Sequence, residues 1–555
     1  MRAVVLAAAV LGIAGSAFAQ SAGGYYKNER WGYKVRAPAD FKEAALSASE
    51  EWIASKHIAT RLLYAKNSEF MEADYPQMWV IGFPKSRQGE RGAKITEKED
   101  GSVEIDFKNP YKDYKDFVKR ESWFVGGGYY FSQEEEDTVG GVSVTKYEIK
   151  VEKMVSSPYR IVTWVYHFDD ADFAVQCKVL EDYWKKYDSA FLACLKSLKR
   201  IEREGSGPGA VTTGNKIIFD EDEDDLTPEE KAKRRQEIFE KTLERETGAL
   251  PKEWFVIRSD HHVVMSNGSR KYAKEILDHA DAIRGYLEKT FGDFGKDYVP
   301  PGIIRVFATD AELQAYHVST SANWWDWAKQ VTVSEESAQG RKSWALEPVS
   351  DGVTGLYLNN RNRMLHENMP WWFRRGLERH MRFARSKGKR VEIKPDEVDR
   401  EIMRDIVRSG KAVGIKALFE AGDEEEAYGY QCGSVVSYLL TKGDRGKWKN
   451  CIRNYMGNLI TATEAAEKEF KDFKDKQKAE IEKAAEEAAG TEPRAESEDE
   501  SGEDEEEGEK YWEQYRDAMR KKEKDIRKLA FERTFGDISD KDWERLDKQW
   551  RDWAD

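Results

Sequence analysis

The chain has 555 residues, a net charge of −14 and 35% charged residues. At roughly 100–200 residues per domain, that length holds more than one domain, and the acidic balance excludes a basic nucleic-acid-binding body. Its 18 Trp, 25 Tyr and 24 Phe supply real cores, which confines disorder to particular segments.

Met1 and Arg2 form a short positive start, Ala3 to Ile13 is almost wholly apolar, and Ala17-Phe-Ala19 puts small residues at the positions a signal peptidase reads. Residues 1–19 are therefore expected to be a cleaved signal peptide, with the mature chain exported to a periplasm or the medium. The apolar run is too short to cross a bilayer core of about 30 Å, which needs roughly 20 residues. No later stretch approaches that length, so no membrane span is expected.

Residues 25–202 read as strands followed by a helix. Trp31 to Pro38 is an entry strand stopped by proline, and Met78 to Phe83 is a short apolar run. Val142 to Glu152 alternates apolar and polar residues, the period of a half-buried strand. Ile161 to His167 and Phe173 to Val179 follow, with Asp169, Asp170 and Asp172 as a hairpin turn. Tyr183 to Leu198 then repeats apolar residues at helical spacing. This late order resembles the PsbP-like sandwich, an antiparallel sheet covered by helices, in domains that mostly bind or scaffold.

Residues 203–226 form a Gly-rich and acidic linker. Thr227, Pro228 and Glu230 then start a helix with a capping box. Trp254 to Met265 reads as a strand and its continuation. Lys271 to Gly292 is an amphipathic helix ended by glycine, Ile303 to Ala308 a second strand, and Val353 to Leu358 a third. A helix begins at Pro370, another spans Tyr428 to Leu440, and a Trp-rich helix closes the chain. Residues 461–526 interrupt this domain, first as an Ala/Glu/Lys-rich helix and then as an acidic, disordered tether.

Taken in order, the segments 227–460 and 527–555 resemble the peptidase-MA-like gluzincins, exported zinc metallopeptidases. Pro370, Trp371 or Trp372, Gly376 and Leu377 match that family's Pro-x-Trp-x-x-Glu-Gly-Leu helix, which lies after its zinc helix. Tyr430, Val435, Tyr438 and Leu439 match a later helix, and Phe535, Gly536, Trp543 and Trp550 the end. The family's chemistry needs two histidines at i and i+4, a glutamate after the first as general base, and a further glutamate ligand before Gly-Leu. Here His366-Glu367 begins such a motif, but Pro370 stands where the second histidine belongs. The later glutamate is replaced by Arg375, whose guanidinium has no lone pair for a metal. A substitute set of His366, Glu378 and His380, with Glu367 as base, has Glu378 and His380 two apart on a helix, pointing to different faces.

The expected architecture is α+β: an N-terminal antiparallel-sheet sandwich with helices, then a largely helical metallopeptidase-like domain with a small sheet. The expected function is binding or scaffolding at the cell envelope after loss of zinc and catalysis, with a peptide or protein ligand along a groove at Trp371, Trp372 and Arg375. Two alternatives stand beside it: an active zinc peptidase with the displaced ligands, and a purely structural envelope protein. The four cysteines form sequence-local pairs, so Cys177–Cys194 and Cys432–Cys451 are the expected bridges in an exported protein. Buried free thiols are the alternative.

Overall fold

A computed structural model describes residues 24–46, 50, 52–66, 73–85, 93–97, 103–107, 111–120, 128–152, 159–202, 217–219, 227–248, 250–292, 301–316, 331–340, 342–361, 365–388, 390–394, 397–420, 428–466 and 520–555. The expected signal peptide, nearly all of the linker and most of the insertion lie outside these residues. The fold is α+β: an antiparallel-sheet region with helices, then a more helical part with a small sheet. Two compact units emerge, one of 1–226, 240–255 and 307–325, the other of 227–239, 256–306 and 326–555.

The first unit contains β1 (Tyr25–Asn28), β2 (Tyr33–Arg36), β3 (Phe41–Ala44), β4 (Ile53–Ala59), β5 (Leu63–Tyr64), β6 (Ala73–Asp74), β7 (Gln77–Pro84), β8 (Ala93–Glu97), β9 (Val103–Phe107), α1 (Tyr114–Arg120), β10 (Gly128–Val139), β11 (Val142–Glu152), β12 (Tyr159–His167), β13 (Ala171–Leu180), α2 (Trp184–Leu195), β14 (Lys199–Arg200) and β15 (Ile217–Phe219). Seven strands pair antiparallel in the order β10-β11-β12-β13-β7-β4-β3. The alternation along β13 decides what covers each face. Phe173 meets Tyr33 of the β1-β2-β14 sheet and Trp31 of the turn between β1 and β2. Gly82 faces the same way and has no side chain because the Trp31 ring lies against it: a Cβ there would fall 2.7 Å from Trp31 Cε3. On the opposite face, Gln176 and Thr163 bind the Tyr114 hydroxyl of α1, at 2.7 and 2.6 Å.

Strand β4, next to the β3 edge, is buried along its whole length although it carries Ser55, Lys56 and His57. Tyr33 donates to Ser55 Oγ at 2.7 Å, and His57 meets the Tyr26 ring edge-on at 4.8 Å. Tyr26 donates to Glu43 on β3 at 2.7 Å, and burial pushes the Glu43 carboxyl up to about 7. Lys56 points to the other face, where it is ion-paired with Glu50 and donates to the Ala315 carbonyl at 3.0 Å.

The second unit is built on a sheet in the order β16 (Phe255–Arg258), β17 (His262–Ser266), β18 (Gly302–Phe307) and β19 (Val331–Ser334). Before it runs α3 (Pro228–Gly248), where Thr227 and Glu230 make the expected reciprocal cap, Thr227 N donating to Glu230 Oε2 at 2.8 Å. Parallel strands β17 and β18 are joined through α4 (Arg270–Phe291), capped by Ser269 and ended by Gly292 at φ +84°. Short α5 (Asp310–Ala315) belongs to the first unit.

After β19 come α6 (Glu335–Gly340), α7 (Lys342–Arg361), α8 (Leu365–Asn368), α9 (Trp371–Arg382), the hairpin β20 (Ala384–Lys387) and β21 (Arg390–Ile393), α10 (Glu397–Arg408), α11 (Ile415–Glu420) and α12 (Gly429–Leu440). Helical residues 451–466 (α13) and 520–535 (α14) precede α15 (Asp540–Ala554).

The strand expected at Val353 to Leu358 is instead the middle of α7. Val353, Leu356 and Tyr357 are all buried, at helical i, i+3, i+4 spacing. A short apolar run carries too little periodicity to separate a strand from a buried helix. The expected disulfides are not formed either. All four cysteines are buried free thiols, Cys177 and Cys194 within one core cluster. Burial pushes the thiols of Cys194, Cys432 and Cys451 up to about 12.

Candidate functional site

Helices α4, α7, α9 and α12 are threaded by two buried histidines. His279 of α4 has Ser350 Oγ of α7 2.9 Å from Nε2 and Ser386 Oγ of β20 3.1 Å from Nδ1. His380 of α9 has Ser437 Oγ of α12 2.8 Å from Nδ1 and Tyr286 OH of α4 3.2 Å from Nε2. Burial lowers each imidazole to about 4, so both are neutral near pH 7. A neutral ring has one donor and one acceptor nitrogen, and here both positions of each ring face hydroxyls. These histidines join helices.

α9 starts at Pro370, as expected, and approaches α12 closely. A Cβ on Gly376 would stand 2.8 Å from the Cys432 carbonyl oxygen, and one on Gly433 2.9 Å from Arg379 Cβ. Arg379 is fixed by two bonds to Asp399, at 2.8 and 3.0 Å, and its guanidinium lies 3.4 Å from the centre of the Tyr430 ring.

Of the residues expected to line a groove, Trp372 is a core residue. It is 1% exposed and lies flat on Phe419, ring centres 3.7 Å apart, with Tyr455 at 5.3 Å. Trp371 is half-buried, and Arg375 reaches solvent while pairing with Glu378 at 3.2 Å. Thus Glu378 faces a guanidinium and His380 faces two hydroxyls. His366 and Glu367 belong to the single turn α8, but their side chains lie outside the described residues. His317 also lies outside them.

A carboxylate that the sequence reading passed over sits at this face. Asp351 of α7 is half-buried, and its Oδ1 is buried with no hydrogen-bond partner. Burial raises its carboxyl to about 7. Arg382 and Arg375 pull it down, and Glu378 and Glu347 push it up. Arg382 is committed to Glu347 at 2.8 Å, with Arg385 at 3.7 Å from the same carboxylate. Arg375, Glu378 and Arg382 recur at i, i+3 and i+7 along α9, and Glu347 and Asp351 at i and i+4 along α7, so each set shares one helix face. That spacing was available in the sequence, and reading the middle of α7 as a strand concealed it.

Ser350, beside Asp351, also donates to the Leu346 carbonyl at 2.9 Å, and Thr354 donates to the Ser350 carbonyl at 2.7 Å. Among the described residues, no group of three or more His, Cys, Asp or Glu side chains is arranged to hold a metal ion.

Neither a protein-family model nor a curated protein matches the chain. Among solved structures, the chain is similar to cyanobacterial PsbP from Synechocystis sp. PCC 6803, at 15% identity over 34% of this chain and 99% of that one, with a TM-score of 0.23. It is similar also to LpqN of Mycobacterium tuberculosis, described as involved in cell envelope biogenesis, at 12% identity over 30% of this chain and 82% of that one (TM-score 0.19). A Pseudomonas aeruginosa protein of unknown function is similar at 7% identity over 33% of this chain and 98% of that one, with a TM-score of 0.17.

Proposed function

We propose that this chain is an exported protein of the cell envelope whose second unit binds an extended polypeptide along the α7–α9 face without hydrolysing it. The donor chemistry of that face carries the reading. The resemblance to zinc peptidases requires histidines at i and i+4, a glutamate after the first, and a glutamate before Gly-Leu. On α7, the long helix before α9, Ser350, Asp351 and Thr354 stand at i, i+1 and i+4, and Arg375 precedes Gly376-Leu377. Both hydroxyls are engaged within the helix bundle, and a guanidinium has no lone pair to offer a metal. His380 would have to give up two hydrogen bonds to bind a metal, and Glu378 its pairing with Arg375. These side chains do not fit zinc.

Export rests on the signal pattern of residues 1–19. Among the described residues, no helix is long and apolar enough to cross a membrane. Residues 25–202 act in this reading as the PsbP-like binding or scaffolding module.

The first test is elemental analysis of the tag-free mature protein, before and after incubation with a modest excess of zinc. The expected result is no stoichiometric zinc. About one zinc per chain, lost in His366→Ala, would overturn the reading and make Glu367→Gln the next variant in a peptidase assay. A second reading, a purely structural envelope protein, is favoured by the burial of Trp372 and Phe373. It predicts that no peptide binds the second unit.

A further inference from the structure

We infer that Asp351 anchors a primary ammonium group, a lysine side chain of the bound polypeptide; this rests on the peptide-binding reading above. A buried carboxylate oxygen without a donor is costly, typically about 1–3 kcal/mol or more for a charged group. Among the described residues nothing in the protein supplies that donor: Asp351 Oδ1 is buried and makes no hydrogen bond. Guanidiniums are near enough to influence it, yet each is committed elsewhere, Arg375 to Glu378 and Arg382 to Glu347. The two acids and two bases acting on Asp351 therefore pair off, and the charge of Asp351 itself is left uncompensated. Oδ1 itself has no solvent access, but Asp351 as a residue is only half-buried, so a ligand can meet the carboxyl from its exposed side.

An ionised carboxylate only accepts hydrogen bonds, so the group it lacks is a donor, and a cationic donor also supplies the missing charge. Arg375 and Arg382 are each offset by a paired carboxylate, and a compact ammonium on a flexible stem can reach the carboxyl between them. The same geometry explains the coupling to pH. Arg382, Arg375, Glu378 and Glu347 are the charged groups acting on Asp351, and its carboxyl titrates near 7. Lysine stays protonated across that range, so Asp351 alone decides whether the pair can form.

The test is calorimetric titration of the mature full-length protein with acetyl-Ala-Ala-Lys-Ala-Ala-amide and its norleucine counterpart. The lysine peptide should bind at least about tenfold tighter at pH 8, the scale of a charge-assisted hydrogen bond. Asp351→Asn, nearly isosteric, should erase that difference. Going from pH 8 to pH 6 should weaken lysine-peptide binding about tenfold, because the ionised fraction of a group with pKa near 7 falls from about nine-tenths to about one-tenth. Equal affinity for the two peptides, or a lysine preference that survives Asp351→Asn, overturns this inference and leaves peptide binding standing. Failure of both peptides to bind overturns both.

Discussion

Gly376 of α9 rests against the main chain of α12 at Cys432: a methyl group on its Cα would stand 2.8 Å from the Cys432 carbonyl oxygen and clash with the side chain of Val436. The carbonyl belongs to a helix and cannot turn aside, so the two helices must separate to admit one carbon. That contact holds α9 in place and therefore positions Arg375, Glu378 and Arg382 opposite α7.

Gly376→Ala is expected to destabilise the protein by about 1–3 kcal/mol, the range for overpacking a close contact. Gly433→Ala meets only the Arg379 side chain and should lose less. Urea unfolding of the two variants measures both, and a Gly433→Ala loss equal to that of Gly376→Ala would contradict the account of a rigid main-chain clash.

The Lys56–Glu50 pair sits inside the first unit, both side chains at most 2% exposed. Removing one partner strands a buried charge, so Glu50→Ala should cost about 3–5 kcal/mol. Replacing both with apolar residues, Glu50→Leu with Lys56→Met, should recover most of that loss, because such pairs are often matched by well-packed hydrophobes. If the double variant is no more stable than Glu50→Ala, the packing account of this pair fails.

Acid titration separates groups of opposite sign. His57, His279 and His380 have folded values lowered by burial to about 4 from 6.5. Their stabilising effect is complete above about pH 6.5 and is lost as the pH falls toward 4. Glu43 and Asp351, raised to about 7, act the other way: their contribution is present at low pH and lost as the pH rises through 7. Asp351→Asn removes one proton carried by the folded state, so it should steepen the loss of stability with falling pH by up to about one proton, roughly 1.4 kcal/mol per unit, between pH 6.5 and 4.5. Urea midpoints at pH 6.5, 5.5 and 4.5 give the slopes, and an unchanged slope in the variant would refute the raised Asp351 carboxyl.

Thiol reactivity tests the cysteines. With all four buried as free thiols, a thiol-specific reagent should label none in the native protein and all four in urea without reductant. Two or no labelled thiols in urea would restore one or both of the bridges expected from sequence spacing.

Local pattern carried much of the first unit. The period-2 alternation of Val142 to Glu152 became strand β11 with the same ends, and Asp169 and Asp170 turn β12 into β13, while Asp172 already lies in β13 opposite His167. In β4 the pattern failed: Ser55, Lys56 and His57 look like exposed residues, yet Ser55 accepts from Tyr33, Lys56 is held by Glu50 and the Ala315 carbonyl, and His57 packs edge-on against Tyr26 with neither ring nitrogen hydrogen-bonded. The long edge strand β10 was equally hard to read, since its Glu134 to Asp137 run faces solvent and shows no apolar period.

By itself, the sequence determined the helix and strand segments with strong period and the helix starts at Thr227 and Pro370, because these depend on neighbours a few residues away. Only the tertiary structure decided that Trp372 is core, that His279 and His380 knit helices, and that Asp351 is a carboxylate without a donor. Burial and hydrogen-bond satisfaction are properties of groups brought together from α4, α7, α9 and α12, and sequence spacing along any one of them does not contain that information.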